Sequence, residues 1–401
     1  MSSSASPSRS RIDLVDALRG SALAGLFLLH CVEHFDFGHY PEQAPAWLAS
    51  LDAGTTSAAF FLFGGKAYAI FALMFGLSFH LILDGAARRG VDGRGRFVWR
   101  LALLGLFGYL HGIIFCGDFL LVIAVLGLPL VLLYRASNRI LAVVAALLLL
   151  EPPFIADAVG ILTHRFVPAM PRHWGIYGEI TAVFARDSFA STTLVNLWQG
   201  QWARIWFTIE TGRYLQMSGL FLCGLWLGRS RVLEDLPRAR RFAGRLLAGG
   251  LAGFAVLYPL HLAAGRLAVP DFGRYRIGEL TGAYVNLAQM AVWIGAFVLL
   301  YGLSGFRPIL SRLAPYGRTS LTNYVTQGFV WVPFYYGYGL AMHRHMGPFF
   351  SLLAGVPFLV VQIAISRAWL RHCLYGPLEW VWRSGTRLSF ALLRRPVPVL
   401  A

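Results

Sequence analysis

Residues 18–35 read LRGSALAGLFLLHCVEHF, an apolar run flanked by Arg19 and by His30. About 20 predominantly apolar residues are needed for a helix to cross the hydrocarbon core of a bilayer. Nine further apolar stretches of similar length follow this one, at 58–83, 98–116, 118–134, 139–156, 207–228, 243–263, 284–303, 320–341 and 349–370. The sequence therefore predicts an all-α, polytopic membrane helix bundle with about ten transmembrane helices.

The composition supports a membrane protein and argues against a soluble one. Hydrophobic residues make up 57% of the 401 residues and charged residues only 13%. In soluble domains the charged fraction is usually about 25%. The net charge is +16. The basic residues are almost all arginines between the apolar segments, with Lys66 as the single lysine. That distribution is typical of topology signals and of contact with anionic lipids, and it argues against nucleic-acid binding.

The arginines also predict the orientation of the chain. When the N-terminus is placed in the cytoplasm, 25 of the 34 arginines fall on cytoplasmic stretches, as the positive-inside rule requires. An even number of spans then returns the C-terminus to the same side. The predicted regions are a cytoplasmic N-terminal tail at 1–17, helices one to five within 18–156, an external interfacial segment at 157–206, helices six to ten within 207–370, and a cytoplasmic C-terminal tail at 371–401.

Ionisable side chains inside the predicted spans are candidates for function, because burying a charge in hydrocarbon costs several kcal/mol. Arg19 and His30 are eleven residues apart, about three turns of a helix, so they share a face and lie ~16 Å apart along the axis. Arg100 and His111 repeat this spacing, and Asp118 follows a predicted turn. The structural alternative is that these arginines only set topology and that the histidines hydrogen-bond neighbouring helices.

A metal site is the second alternative. The sequence His30-Cys31-Val32-Glu33-His34 matches the H-x-x-E-H pattern of some zinc proteases, but no downstream acidic ligand is recognisable. The four cysteines share no C-x-x-C spacing, and they are predicted to be small core residues. We therefore expect no metal.

Two local patterns predict particular contacts. Glu210 and Arg213, three residues apart, are predicted to form an internal ion pair. Gly64 and Gly65 precede Lys66 and predict a kink or a close helix approach at that lysine.

Four motifs carry a family resemblance: DALRG at 16–20, FALMFGLSF at 71–79, GRTSLTNY at 317–324 and GPLEW at 376–380. With them the chain resembles the YeiB-type membrane proteins, a family of unknown function. More distantly it is similar to membrane acyltransferases that modify surface sugars, and to glucosaminide N-acetyltransferases. In the bacterial acyltransferases the first helix carries Arg, ten residues and His, and here Arg19 and His30 match that spacing.

The acyltransferase resemblance implies an acyl-CoA-type donor, whose phosphates would be bound by Arg19, Arg96 and Arg100. The family's Arg-x-x-Arg element is one residue longer here, as Arg96-x-x-x-Arg100. The resemblance also implies the inner (cytoplasmic) membrane of a bacterium, with membrane lipids and a sugar or lipid acceptor as partners.

The expected reaction transfers an acyl group to a hydroxyl or amine at the membrane or its outer face. His30 is the candidate general base, and His111 and Asp118 would orient the base or the acceptor. The alternative is a transporter or lipid carrier, in which His30, Glu33 and His111 would relay protons along the same path. A third alternative is a membrane scaffold without chemistry.

Overall fold

The computed structural model describes residues 8–35, 37–42, 44–186, 188–390 and 393. Within these residues the chain forms eighteen α-helices. The first nine are α1 Ser8–Val32, α2 Ala46–Leu62, α3 Ala67–Ala87, α4 Arg94–Gly112, α5 Leu120–Leu126, α6 Leu128–Leu133, α7 Asn138–Leu150, α8 Pro152–Leu162 and α9 Arg172–Phe184. The others are α10 Phe189–Glu210, α11 Arg213–Ser230, α12 Leu236–Ala264, α13 Asp271–Tyr301, α14 Arg307–Leu310, α15 Leu313–Arg318, α16 Ser320–Tyr335, α17 Pro348–His372 and α18 Pro377–Arg387.

The protein is an all-α membrane protein. Six stretches of the described chain are long and apolar enough to cross a bilayer: Asp13–Val32, Ala46–Ala87, Asn138–Leu162, Leu236–Ala264, Asp271–Tyr301 and Pro348–His372. Each coincides with one of the ten predicted segments. The other four predicted segments, at 98–116, 118–134, 207–228 and 320–341, fall on helices that are shorter or more polar, so a total of ten spans stays a prediction.

Some predicted boundaries differ from the helix ends. Helix α1 already begins at Ser8, inside the predicted N-terminal tail, while residues 1–7 of that tail lie outside the described residues. Helix α7 ends at Leu150, before the Glu151-Pro152-Pro153 sequence, as the prolines predict. Helix α8 then continues to Leu162, beyond the predicted limit at 156. In the predicted C-terminal tail, residues 391–392 and 394–401 lie outside the described residues.

Helix α1 lies at the centre of the bundle, where it contacts α3, α15, α16 and α17. Its side chains Ala17, Ala22 and Phe27 are completely buried. Small residues permit these close contacts, since a Cβ on Gly20 would overlap the backbone carbonyl of Leu313 on α15. The apolar segment that opens the sequence is therefore the core of the fold and not a peripheral anchor.

Lys66 marks a break within the second candidate span. Helix α2 ends at Leu62 and α3 begins at Ala67, and Gly65 between them has a φ of 75°. The Lys66 ammonium, 4% exposed, donates to the Phe60 carbonyl at 2.9 Å and to Asn286 Oδ1 at 3.0 Å. The predicted kink is confirmed, and it supplies the carbonyl that satisfies the buried ammonium.

Helices α3 and α11 pack with their backbones in contact, which gives a prediction for stability. A Cβ on Gly224 would lie 2.8 Å from the Leu77 nitrogen and 3.0 Å from the Gly76 Cα. Gly224→Ala should therefore destabilise the protein by about 1–3 kcal/mol, the usual cost of overpacking. A lowered midpoint of chemical unfolding in detergent micelles would show the effect.

Gly244 on α12 is the matched control, because a Cβ at this position would have no neighbouring atom within 4 Å and a methyl group there meets open space. Gly244→Ala should leave the midpoint unchanged or raise it slightly, since alanine favours helix. Equal effects of the two substitutions would contradict the tight α3–α11 contact.

Candidate functional site: two cavities that meet inside the bundle

One cavity, which we call the arginine cavity, lies among α1, α3, α4, α16 and α18 and has a volume of about 230 Å³. Its walls are mainly apolar, with Phe71, Phe75, Phe79 and Phe97 among them. Its polar side chains are Arg19, Tyr68, Ser78, Arg100, Arg318, Ser320, Tyr324 and Glu379. Three guanidinium groups on an apolar cavity are a suitable environment for an anionic, partly apolar ligand.

Arg19 is fixed by two hydrogen bonds. Its Nη1 atom pairs with Asp16 Oδ1 at 2.9 Å, and its Nη2 atom donates to Ser78 Oγ at 2.7 Å. Asp16 is three residues earlier on α1, and Ser78 lies on α3. The DALRG and FALMFGLSF motifs therefore meet at this arginine.

Helix α18 closes the arginine cavity. The Arg100 guanidinium lies 3.6 Å from the Trp382 ring centroid, and Trp382 Nε1 donates to the Arg100 carbonyl at 2.9 Å. Glu379 accepts from the Leu321 amide at 2.7 Å and from the Thr322 hydroxyl at 2.6 Å. Burial raises the pKa of the Glu379 carboxyl against the opposing effect of these hydrogen bonds. The GPLEW and GRTSLTNY motifs thus attach α18 to the start of α16.

The second cavity, which we call the histidine cavity, has a volume of about 620 Å³. Its polar lining residues are His30, Glu33, Tyr40, Tyr68, His173, Trp174, Tyr177, Thr211, Arg213, Gln216, His261, Glu279, Asn286 and Tyr324. Burial lowers the pKa of His173 on α9, while its hydrogen bond to Glu210 raises it. The histidine cavity is far more polar than the arginine cavity.

His30 lies in the wall of the histidine cavity, 8% exposed. Its Nδ1 atom is 3.5 Å from Glu33 Oε2, and its ring packs against Phe35 and Phe115 at 5.4 and 5.3 Å between centroids. A histidine between two aromatic rings and beside a carboxylate is held in a defined orientation, as a general base must be.

The zinc-protease alternative does not fit the local backbone. Helix α1 ends at Val32, and His34 has a φ of 52°, so His30 and His34 do not share a helical face. Both ring nitrogens of His34 are engaged, with the His39 carbonyl at 2.8 Å and Ser351 Oγ at 2.9 Å. Among the described residues no group of three or more His, Cys, Asp and Glu side chains could hold a metal.

The two cavities meet. Leu26, Tyr68, Phe119 and Tyr324 line both of them, so the two cavities adjoin at these four side chains. The Tyr68 hydroxyl is hydrogen-bonded to Gln216, and the Phe119 amide donates to the Tyr324 hydroxyl at 3.4 Å. Arg19 and His30 lie on opposite sides of this junction along α1.

His111 and Asp118 form a close pair behind the cavity wall. His111 Nδ1 is 2.6 Å from Asp118 Oδ2, and neither residue lines either cavity. Arg204 of α10, which is completely buried, donates to the Asp118 carbonyl at 2.5 Å, and its Nη1 atom lies 3.8 Å from Asp118 Oδ1. The flanking residues Gly117 and Phe119 do line the histidine cavity. The network therefore positions the turn that forms the wall.

Sequence reasoning placed some residues correctly together and missed others. Arg19 and Arg100 share one cavity, but Arg96 is exposed on α4 and does not line it. Arg318 and Glu379 were missed, although both lie in family motifs. Arg204 was also missed, because one arginine in an amphipathic segment gave no signal that it reaches Asp118.

The predicted ion pair between Glu210 and Arg213 was wrong. Glu210 instead accepts from the His173 ring at 2.7 Å and from the amides of Arg172 and His173 at 3.0 and 3.1 Å. The helical conformation is interrupted between α10 and α11 at Gly212, which has a φ of 72°. Because the two residues are on different helices, helical spacing does not bring them together.

Comparison with known proteins shows which proteins the chain is similar to. The family described as "Protein of unknown function (DUF418)" matches residues 227–389. The chain is 28% identical to "Uncharacterized protein YeiB" of Escherichia coli (strain K12), over 93% of this chain and 95% of that protein. The resemblance to the YeiB-type family is confirmed. The match covers 93% of this chain, so the YeiB-type likeness is not confined to the residues that the family model matches.

Two further relatives are similar over almost their whole length. "Uncharacterized protein YxaH" of Bacillus subtilis (strain 168) is 27% identical, with 97% of each chain covered. "Uncharacterized 39.9 kDa protein in amylase 3'region" of Bacillus acidopullulyticus is 25% identical, with 94% of each chain covered. No solved structure matches the chain significantly. None of these three names states an activity.

Proposed function

We propose that the protein is a multi-pass protein of the bacterial inner membrane, with about ten spans and both termini in the cytoplasm. The arginine distribution supports this orientation. Arg19, Arg100 and Arg318 of the arginine cavity all belong to stretches that it assigns to the cytoplasmic side. In this orientation the arginine cavity faces the cytoplasm and the histidine cavity faces the outside.

Within that orientation, the function that the geometry supports best is acyl transfer across the membrane. A cytoplasmic acyl-CoA-type donor binds in the arginine cavity, with its anionic groups at Arg19, Arg100 and Arg318. The acceptor binds in the histidine cavity beside His30. The observation that carries this proposal is the junction at Tyr68 and Tyr324, where the two cavities meet.

The reaction needs one base and one leaving group. The acceptor hydroxyl or amine attacks the thioester carbonyl carbon, its proton passes to a ring nitrogen of His30, and the carbon–sulfur bond breaks to release the CoA thiolate. The thiolate then takes up a proton, so the overall products are an ester or amide and free CoA. His111 and Asp118 act in this scheme as positioning residues, since they hold the turn at Gly117 and Phe119.

Donor binding can be tested with two arginines of the same helix. Arg100 lines the arginine cavity, and Arg96, one turn earlier, is exposed. Hydrogen bonds to charged groups contribute about 1.5–3 kcal/mol, so Arg100→Gln should weaken binding of acetyl-CoA by about tenfold or more. Binding is measured by thermal stabilisation of the purified protein over a range of acetyl-CoA concentrations.

Arg96→Gln is the control, and it should bind acetyl-CoA like the wild type. Free CoA and dephospho-CoA, tested alongside, separate recognition of the phosphates from recognition of the acyl group. Absence of stabilisation of the wild-type protein by any CoA ester would overturn the proposed donor site.

A carrier is the second candidate, and the adjoining positions of the two cavities favour it. In that case His30, Glu33 and other groups of the histidine cavity would bind and release protons as the solute passes. Uptake of radiolabelled solutes into proteoliposomes would support a carrier. Consumption of acyl-CoA without net flux would support the enzyme.

A further inference from the structure

Arg213, the first residue of α11, is held by aromatic rings at the wall of the histidine cavity. Its guanidinium carbon lies 4.3 Å from the Phe207 ring centroid and 5.0 Å from that of Tyr68. Stacking on aromatic faces is a favoured environment for arginine, and it leaves the edge of the guanidinium group available. The side chain is half-buried.

Arg213 has no hydrogen bond or ion pair with any residue of the described chain. Its neighbour in sequence, Glu210, is engaged by Arg172 and His173. Glu279 lines the same cavity and interacts electrostatically with Arg213, but the two side chains form no ion pair. A guanidinium group has five N–H donors and accepts no hydrogen bond. In this cavity those donors face space that a ligand can occupy.

Two arginines of α13 form ion pairs with acidic side chains, in contrast to Arg213. Arg276 on α13 is 3.2 Å from Asp157 and also donates to the Glu210 carbonyl. Arg274 on the same helix is 3.4 Å from Asp271. Arg276 therefore joins α13 to α8 and α10, and Arg274 is paired within α13, whereas Arg213 forms no ion pair with a described residue.

We infer that Arg213 is an anion-binding residue of the histidine cavity, and that the ligand of this cavity carries a phosphate or carboxylate group. The planar guanidinium group of arginine can donate two parallel hydrogen bonds to two oxygens of either group. Gln216 and Asn286 on the same wall already accept hydrogen bonds from Tyr68 and Lys66 through their amide oxygens. The inference rests on the proposed function only where it identifies this ligand as the acyl acceptor, since anion binding does not require acyl transfer.

The test uses delipidated full-length protein in a neutral detergent at constant ionic strength. Glycerol 3-phosphate serves as a soluble phosphate probe, gluconate as a carboxylate probe and glycerol as the uncharged control. Lysophosphatidylglycerol presents the same headgroup chemistry on a lipid. At least one anionic probe should stabilise the wild-type protein thermally, and glycerol should not.

Arg213→Gln should weaken binding of the effective probe about tenfold or more, whereas Arg274→Gln should leave it unchanged. Arg213→Lys keeps the positive charge but lacks the planar guanidinium group, so it should weaken probe binding by less than Arg213→Gln does. It serves as the second variant if Arg213→Gln does not fold. Stabilisation by lysophosphatidylglycerol alone assigns the anion to a lipid headgroup, and stabilisation by a soluble probe assigns it to a free ligand.

The inference is overturned if no anionic probe binds the wild-type protein, or if folded Arg213→Gln and Arg213→Lys bind as tightly as the wild type. Failure of the acyl-transfer proposal has a different signature. Acetyl-CoA binding at Arg100 would be absent, while anion binding at Arg213 would persist.

Discussion

His30→Gln is expected to reduce acyl transfer by about 10²–10⁴-fold, the usual contribution of a general base. Glutamine fills nearly the same space between Phe35 and Phe115 but cannot accept a proton at neutral pH. The junction of the cavities and the binding of donor should therefore survive. The measurement is transfer of the label from radiolabelled acetyl-CoA to envelope material in inverted membrane vesicles.

His345→Gln is a suitable control, because His345 is exposed and lies in the loop that joins α16 to α17. It should transfer acyl groups at the wild-type rate. Thermal stabilisation by acetyl-CoA should be the same in both variants, which separates loss of chemistry from loss of binding. Wild-type transfer by folded His30→Gln would remove His30 from the mechanism.

Arg204→Met should destabilise the protein by about 3–5 kcal/mol, because it removes the guanidinium group beside the buried Asp118 carboxyl and leaves that carboxyl paired with His111. Asp118 and Arg204 are both completely buried, and the pair joins α10 to the turn before α5. A large drop in the midpoint of chemical unfolding in detergent micelles is the expected result. Asp92→Asn, which breaks an exposed ion pair with Arg94, should change the midpoint little.

The double variant Asp118→Asn with Arg204→Met decides whether the effect is electrostatic. The introduced asparagine would still accept from the Leu120 amide, which is 2.9 Å from Asp118 Oδ1 in the native protein. Removing both charges should cost less than the sum of the single substitutions, because neither charge is left unpaired. Additive losses would show that packing around Arg204, and not its charge, stabilises the turn.

The membrane character of the fold could be predicted from the sequence, because hydrocarbon imposes length and polarity on each span. Six of the predicted segments coincide with helical stretches that are long and apolar enough to cross a bilayer. The end of α7 was predictable too, since Pro152 and Pro153 cannot continue a helix that precedes them. Helix starts and the break at Gly212 were less predictable, as they depend on contacts between distant segments.

The candidate site was predictable only in part. The eleven-residue spacing placed Arg19 and His30 on one face of α1, and both do line cavities. For Arg100 and His111 the same spacing predicted a shared cavity wall incorrectly. Arg100 lines a cavity, but His111 pairs with Asp118 and lines neither cavity. Helical periodicity fixes which residues share a face, but not which neighbouring helix covers that face.

By itself the sequence determined that this chain is a helical membrane protein, that Arg19 and His30 lie along one helix, and that it resembles the YeiB-type family. Each of these follows from local information: hydropathy, helical spacing and short motifs. Only the tertiary structure decided that Arg100 and Arg318 join Arg19 in one cavity, and that Arg213 lines the other cavity without an ion pair to a described residue. Such groupings depend on contacts between helices far apart in sequence, and burial forces each polar group there to find whichever partner the packing provides.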